Sequence, residues 1–534
     1  CICLLFPAFS SIDDHGFGMR TKQALFNSIS DAIVQIVNII QTFLVTRLII
    51  QHYGSVANGL ISSIHQIFGQ IRLIEMGLGG AIIYALYAPL SRNDFQKINA
   101  IASAGKKSFQ RIGIYFGLMA IGLSLLYPLL VPVEGMSYTA VLILIIVMGS
   151  SVMMLFYLIS PYNVVLTASQ RSDIVNYSKI VNSICVISFA VFFINQHYNL
   201  IVVQFSYVVG TFLQFVFILS IFNRRFKNIK FNESPDLFAT EKRYDVMIHQ
   251  ISGAVVFNSP VILLTLLSTL DNVSVYAVYM LVVNGLYLIL NVFNRGMVAG
   301  FGDLIARKNE SGLKTAYIQY EYIFYILLAL VFTSAAFLIR PFISLYTNGS
   351  EDANYTDSLI AYLFIIMGFL NCWRIPQNTI TIASGHYKET RHRAIIEAII
   401  TLGLGVVLVY LYDVVGALIA SIAGLLYRVV DIFYINKLVQ NTLPITLKRV
   451  TRLLIIIALW CFISLYIEQY LEFHSFSDWL VVAIIVTLVN GCILLTINFL
   501  FEREVFISVI HRFKRLIGLK TNRPQQTDEN RLSI

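Results

Sequence analysis

The chain has 534 residues, 57% of them hydrophobic and 13% charged, with a mean hydropathy of +0.75. Soluble domains carry about 25% charged residues, so this composition excludes a water-soluble fold. The formal net charge is +9, yet the basic residues fall in small groups between apolar runs, which argues for membrane topology and against a nucleic-acid partner.

Residues 1–18 hold a short apolar run with no basic region before it, and Met19, followed by Arg20 and Lys22, is the expected natural start. The segment before it reads as non-native or upstream. A bilayer core about 30 Å thick takes about 20 apolar residues per helix. Apolar runs between charge breaks then predict fourteen spans, near 23–50, 54–88, 109–132, 138–168, 174–195, 199–222, 246–270, 272–303, 317–346, 355–384, 391–411, 413–439, 448–471 and 477–502. The expected fold class is an all-α integral membrane protein. Of the 38 Lys and Arg residues, 32 lie at the N-terminus, in alternate loops and in the tail after 502, while the opposite loops hold none. Cytoplasmic loops collect Lys and Arg, so both termini are expected in the cytoplasm of a multi-pass protein. Four cysteines, Cys185, Cys372, Cys461 and Cys492, sit inside apolar runs without metal-ligand or redox spacing and read as packing residues.

Sliding the second half by 223 residues lays Arg295, Gly300 and Gly302 on Arg72, Gly77 and Gly79. A second echo pairs Ala168-Ser169 with Ala383-Ser384 at an offset of 215. Parallel repeats of this kind mark transporters that hold substrate where two lobes meet. The expected organisation is an N-lobe at 19–230, a C-lobe at 231–445, two further spans at 446–502 and a basic cytoplasmic tail at 503–534.

Polar residues recur along one face of several spans: Asn27, Asp31, Gln35, Asn38 and Thr42 in the first, Asn58, His65 and Arg72 in the second. Asn284, Asn291 and Arg295 repeat the pattern in the eighth, and Asn371, Arg374 and Asn378 in the tenth. Facing lipid would be costly, so these faces are expected to meet around a water-filled cavity; interhelical hydrogen bonding is the plainer alternative. A guanidinium stays charged and grips phosphate oxygens bidentately, so a cavity with several arginines suits an anionic headgroup such as a diphosphate. The expected substrate-binding residues are Arg72, Arg295, Arg374, Asp31, Glu75, His65, Asn291 and Asn378. Glu75 and Asp431 are expected as in-helix partners of Arg72 and Arg428, and Pro260 and Pro376 as hinges. No phosphate-binding loop, zinc-protease signature or nucleophile elbow is present, and the short outer loops leave no room for paired catalytic carboxylates. An enzyme is therefore not expected, nor is a cofactor or a metal.

The segment YGSVANGLISSIHQIFGQIRLIEMGLGGAIIYALYAPLSRND, Tyr53 to Asp94, resembles the polysaccharide repeat-unit flippases of Wzx type. So does RIPQNTITIASGHYKETRHRAIIEAIITLGLGVVLVYLYDVVGALIASI, Arg374 to Ile422. The resemblance covers most of residues 20–500. It implies the multidrug/oligosaccharidyl-lipid/polysaccharide exporter fold, with two six-helix lobes around a cavity open alternately to either side, plus two C-terminal helices. It also implies a bacterial cytoplasmic membrane and an undecaprenyl-diphosphate-linked oligosaccharide as cargo, for capsule, O-antigen or exopolysaccharide synthesis. Membrane lipid and a polysaccharide polymerase complex are the implied partners. Where the family often has a Thr-Asp pair in the seventh span, this chain has Ser259-Pro260, so no cation role carries over there. A cation-coupled multidrug-type exporter and a peptidoglycan-precursor flippase are the alternatives.

The topology predicts that single cysteines at Glu134 or Asn354 react with an impermeant thiol reagent in intact cells and that ones at Lys106 or Asn228 do not. Labelling in the reverse pattern would invert the orientation.

Overall fold

A computed structural model describes residues 14–231, 233, 258–294, 297–385, 387–430, 433, 435, 439, 442–467 and 473–516. The first helical run, Asp14–Arg92, breaks at Gly54, whose φ of 83° lies in the left-handed region that favours glycine. The break divides it into α1 (14–53) and α2 (55–92). Asn27 donates to the Gln170 carbonyl, and a Cβ on Gly79 would lie 3.8 Å from Val164, so both helices reach the C-terminal end of the fourth helix. The two helices therefore form a hairpin.

There follow α3 (Phe95–Leu130), α4 (Tyr138–Ala168), α5 (Ser172–Asn195), α6 (Leu200–Arg225), α7 (Asn258–Leu267) and α8 (Leu270–Asn294), with a short helix Met297–Ala306 after α8. Next come α9 (Glu310–Tyr346) and α10 (Ser358–Ala383). The run Tyr387–Tyr427 breaks at Tyr412 and Asp413 into α11 (387–411) and α12 (414–427). The chain ends on α13 (Leu443–Ile467), α14 (Phe476–Phe501) and α15 (Arg503–Leu516). Among the described residues no strand occurs, and α1 to α14 fall on the fourteen expected spans. A bilayer offers the backbone no hydrogen-bond partners, which is why only intrahelical pairing is used.

The two lobes repeat each other in an unusual feature. Helix α4 contains a π turn, Leu155–Ile159, just before Pro161. Helix α10 is interrupted at Arg374, which ends Ser358–Trp373 and begins Ile375–Ala383, just before Pro376. Both prolines remove a backbone donor and crowd the preceding turn, so each span is rebuilt as two pieces. Pro161 and Pro376 are 215 residues apart, the same offset as the Ala-Ser echo, and each is followed two residues on by Asn.

The lobes differ in what surrounds their third helix. The most apolar stretch of α9 is 72% buried, against 28% for its counterpart α3, because α13 and α14 pack on α9. Near one end Trp479 Nε1 donates to the Leu338 carbonyl (3.1 Å), and at mid-depth Asn490 Nδ2 donates to Ser334 (3.2 Å). At the other end Arg449 of α13 pairs with Glu321 of α9 (2.9 Å) and Glu502 (2.6 Å), and Arg452 also donates to Glu502 (2.6 Å). The Thr446 hydroxyl completes the Glu321 shell at 2.8 Å. The chain after 502, expected as a tail, continues as α15, where Gln319 of α9 donates to Ser508 (3.3 Å).

Truncating one partner of a buried ion pair strands the other charge, at a cost of about 3–5 kcal/mol. Arg449→Ala is therefore expected to lower the unfolding temperature of the purified protein in detergent well beyond Asn490→Ala, which loses hydrogen bonds worth roughly 1 kcal/mol.

Candidate functional site

The lobes meet at the end of the bundle that carries the 347–357 loop. Because Gly54 leaves the helix, Ser55 opens α2 with an unsatisfied backbone N–H, and Asp352 of the other lobe caps it at 2.6 Å. The Ser55 hydroxyl donates to the second Asp352 oxygen (2.7 Å) and lies 2.6 Å from the Tyr355 hydroxyl. Tyr355 also lies 2.7 Å from Ser274 of α8, which accepts from Asn58 of α2 at 2.7 Å. One hydrogen-bonded chain thus crosses between the lobes. Beside it α2 touches α8 backbone to backbone: a side chain at Gly59 would collide with the Leu270 carbonyl. Arg47 of α1 stacks on Phe476 of α14 (4.7 Å), and the Tyr346 hydroxyl donates to the Phe43 carbonyl (2.7 Å).

The apolar core follows the same division. Val45, Leu60 and Ile64 of the N-lobe belong to one buried cluster with Val273 and Tyr279 of the C-lobe. At the basic end the N-lobe keeps a core of its own, including Ile82, Ile98, Phe109, Val164 and Ile218. Among the described residues the lobes share a core at one end, and the N-lobe keeps a separate one at the other.

The expected site residues distribute unevenly over this frame. The side chains of Arg72 and Glu75, and Arg295 altogether, lie outside the described residues, as does Asp431. His65 is exposed on α2, its ring 6.1 Å from that of Tyr207 on α6. Asn378 is exposed and Asn291 half-buried. Asp31 shares a cleft of about 390 Å³ at the basic end with Asn27, Thr167 and Lys179. Arg374 is held inside the C-lobe, donating from Nη1 to Glu397 of α11 (3.0 Å) and from Nη2 to Asn371 (3.4 Å). The other Glu397 oxygen accepts from Arg428 at 2.9 Å. Arg428 thus has a carboxylate partner on the neighbouring helix, 31 residues back, in addition to any in its own turn.

The polar stripe of α1 turns partly away from a cavity. Asn27 accepts from the Asp173 backbone (3.0 Å), Ser30 from Asn176 (3.1 Å) and Asn38 from Ser183 (2.9 Å), all on α5. Residues 27 and 38 are three turns apart, so one edge of the stripe is spent joining α1 to α5 within the N-lobe. Sequence reasoning passed over Asn294, which accepts from Tyr320 (2.7 Å) and Thr379 (2.5 Å), and it counted Arg449 among loop residues. The visible signal for the latter was Glu321, an acidic residue at the edge of the long apolar run of α9.

A scan against protein-family models finds no match, and no curated relative matches. Solved structures do match. A lipid II flippase, MurJ, in an inward closed conformation is 15% identical, with a TM-score of 0.63 over 89% of this chain and 99% of its own. A multidrug resistance MATE transporter in its inward-facing conformation is 12% identical, with a TM-score of 0.63 over 78% of this chain and 95% of its own. An outward-facing MATE structure reaches 0.50 over 82% and 96%. This chain has the fold of the MOP superfamily transporters. The resemblance expected from sequence is thus supported at the level of the superfamily fold.

Burial works to raise the Asp352 carboxyl, but hydrogen bonds from Ser350 and Ser55 outweigh it and hold the group below its ordinary 3.8. Burial also pushes the Tyr355 hydroxyl up to about 12. A carboxyl with a depressed value in the folded protein contributes stability above its ordinary value and loses it as pH falls through the lowered one. The junction is therefore expected to stay closed above pH 3.8 and to loosen as pH falls below that value. Asp352→Ala is expected to open it, read as faster thiol labelling of a cysteine placed at Asn58, which is 2% exposed in the closed protein. Unchanged labelling would show that the junction does not control access.

Proposed function

We propose that the protein is a flippase that moves undecaprenyl-diphosphate-linked oligosaccharide across a bacterial cytoplasmic membrane, for capsule, O-antigen or exopolysaccharide synthesis. The carrying observation is that, among the described residues, the contacts between the lobes run from the Ser55–Asp352 junction, opposite the basic loops, to Gln66–Asn258, and none is seen nearer the basic end. With the basic end in the cytoplasm, this is a conformation closed to the outside and open to the leaflet where lipid-linked sugars are built. The higher TM-score to the inward-facing MATE structure than to the outward-facing one supports that reading.

Cargo of this kind carries a diphosphate, a large polar sugar and a polyprenyl tail. Arg72 and Arg295, related by the 223-residue offset in the sequence, are the proposed diphosphate grips. His65, Asp31, Asn291 and Asn378 are proposed sugar contacts, with Glu75 orienting Arg72 and Arg374 adding positive potential from the C-lobe. A MATE-like exporter of organic cations needs free carboxylates within the lobes. Glu397 is instead occupied by two guanidiniums, which favours anionic cargo. The broader coverage by the lipid II flippase keeps a peptidoglycan precursor as the second candidate cargo. A polymerase that receives the flipped unit is the proposed partner.

Depleting the protein is expected to accumulate an oligosaccharide on undecaprenyl diphosphate in the inner leaflet, identified by mass spectrometry of extracted lipids. Accumulation of the peptidoglycan precursor would select the second cargo, and accumulation of neither would overturn the flippase reading. Arg72→Lys keeps the charge without the bidentate fork and is expected to retain partial polymer output, whereas Arg72→Ala retains almost none at normal abundance.

A further inference from the structure

Inside the C-lobe, α7, α8, α10 and α12 line a small void of about 40 Å³. That is room for one or two water-sized occupants. Its polar lining comes from Arg374 and Asn371 of α10, Tyr276 of α8 and Ser421 of α12, with Met367 and Pro260 among its apolar walls.

The lining is biased toward donors. Arg374 donates to the Asn371 carbonyl oxygen, which fixes the amide so that its NH2 group points away from the guanidinium. The Tyr276 hydroxyl is 1% exposed as a residue and donates to the thioether of Met367 at 4.0 Å, a weak acceptor that leaves most of its donor strength unused. Among the described residues no carboxylate lines the void: Glu397 stands behind Arg374 and divides its two oxygens between Arg374 and Arg428. Arg374 therefore shares its counter-charge with a second guanidinium. Positive charge and N–H and O–H donors against thioether and hydrocarbon walls suit a small, weakly hydrated anion. A cation would find no charged ligand, and a diphosphate would not fit.

We propose that this void is a binding site for a monovalent anion of halide size, held by Arg374, Asn371 and Tyr276. The occupant lies where α10 is broken, between the pieces Ser358–Trp373 and Ile375–Ala383, and beside Pro260 of α7. Bound there, it ties the break in α10 to α7 and α8. Its effect is thus on the stability of the C-lobe, whatever the cargo.

The test uses the purified full-length protein in detergent, with chloride or bromide replacing gluconate at constant ionic strength while the unfolding temperature is followed. A ligand that binds only the folded state raises that temperature with its concentration. The expected result is a saturable rise for chloride and bromide. Tyr276→Phe removes one donor and keeps the shape, so it is expected to raise the half-saturating concentration roughly threefold to tenfold. Asn371→Asp keeps an acceptor for Arg374 but sets a carboxylate on the void, and is expected to abolish the response. Asp352→Asn, at the far junction, is expected to respond as the wild type does. A rise that never saturates, or one that is equal in wild type, Tyr276→Phe and Asn371→Asp, would overturn the site. So would bromide-soaked crystals with no anomalous scattering beside Arg374.

Discussion

A charge or polar group placed in hydrocarbon must be paired where it sits, because neither lipid nor a dry protein interior will solvate it. That constraint organises the C-lobe. Glu397 joins α11 to Arg374 at the break in α10 and to Arg428 at the end of α12, so one carboxylate sets the relation of three helices. Arg449 does the same for α9, α13 and the end of α14 through Glu321 and Glu502. Buried pairs of this kind add little net stability over apolar packing, but they are intolerant of register error, since any slip leaves a bare charge. They act as locating pins for helices whose apolar surfaces would otherwise slide on one another.

The second consequence concerns movement. Helices α13 and α14 are pinned to α9 by ion pairs at one end and by Asn490 and Trp479 farther along, so they travel with the C-lobe. The contacts between lobes are of another kind. They are hydrogen bonds among Ser55, Asp352, Tyr355, Ser274 and Asn58 around a cap on α2, continued along α2 by Thr265 to Ser63 and Gln66 to Asn258. Such bonds are each worth roughly 1 kcal/mol net. Ion pairs therefore hold helices together within the C-lobe, and neutral or singly charged hydrogen bonds join the lobes.

Much of the frame was legible in the linear chain. The helices α1 to α14 fall on the expected spans, and ten described helical stretches are long and apolar enough to cross a membrane, because hydrocarbon thickness sets a length that a spanning run must meet. The Ala-Ser echo at an offset of 215 pointed to α4 and α10, and the same offset joins Pro161 to Pro376, where both helices are rebuilt. Glu397 was visible as a deep charge, but its sharing between Arg374 and Arg428 was not, since the three are 23 and 31 residues apart. The junction was also hidden: Asp352 lies in a loop 297 residues from Ser55, and no periodicity links them.

Span length, the alternation of basic loops and the doubled architecture are properties of local composition, and local composition is written directly in the chain. The partners of each buried polar group depend on which helix faces are brought together, and that is decided only when the helices pack. Asn27 and Asn38 show the difference. Their spacing announced a polar face on α1, but only the packed bundle assigned that face to α5. A hydrogen-bonding group specifies that it must have a partner, and the tertiary fold specifies which one.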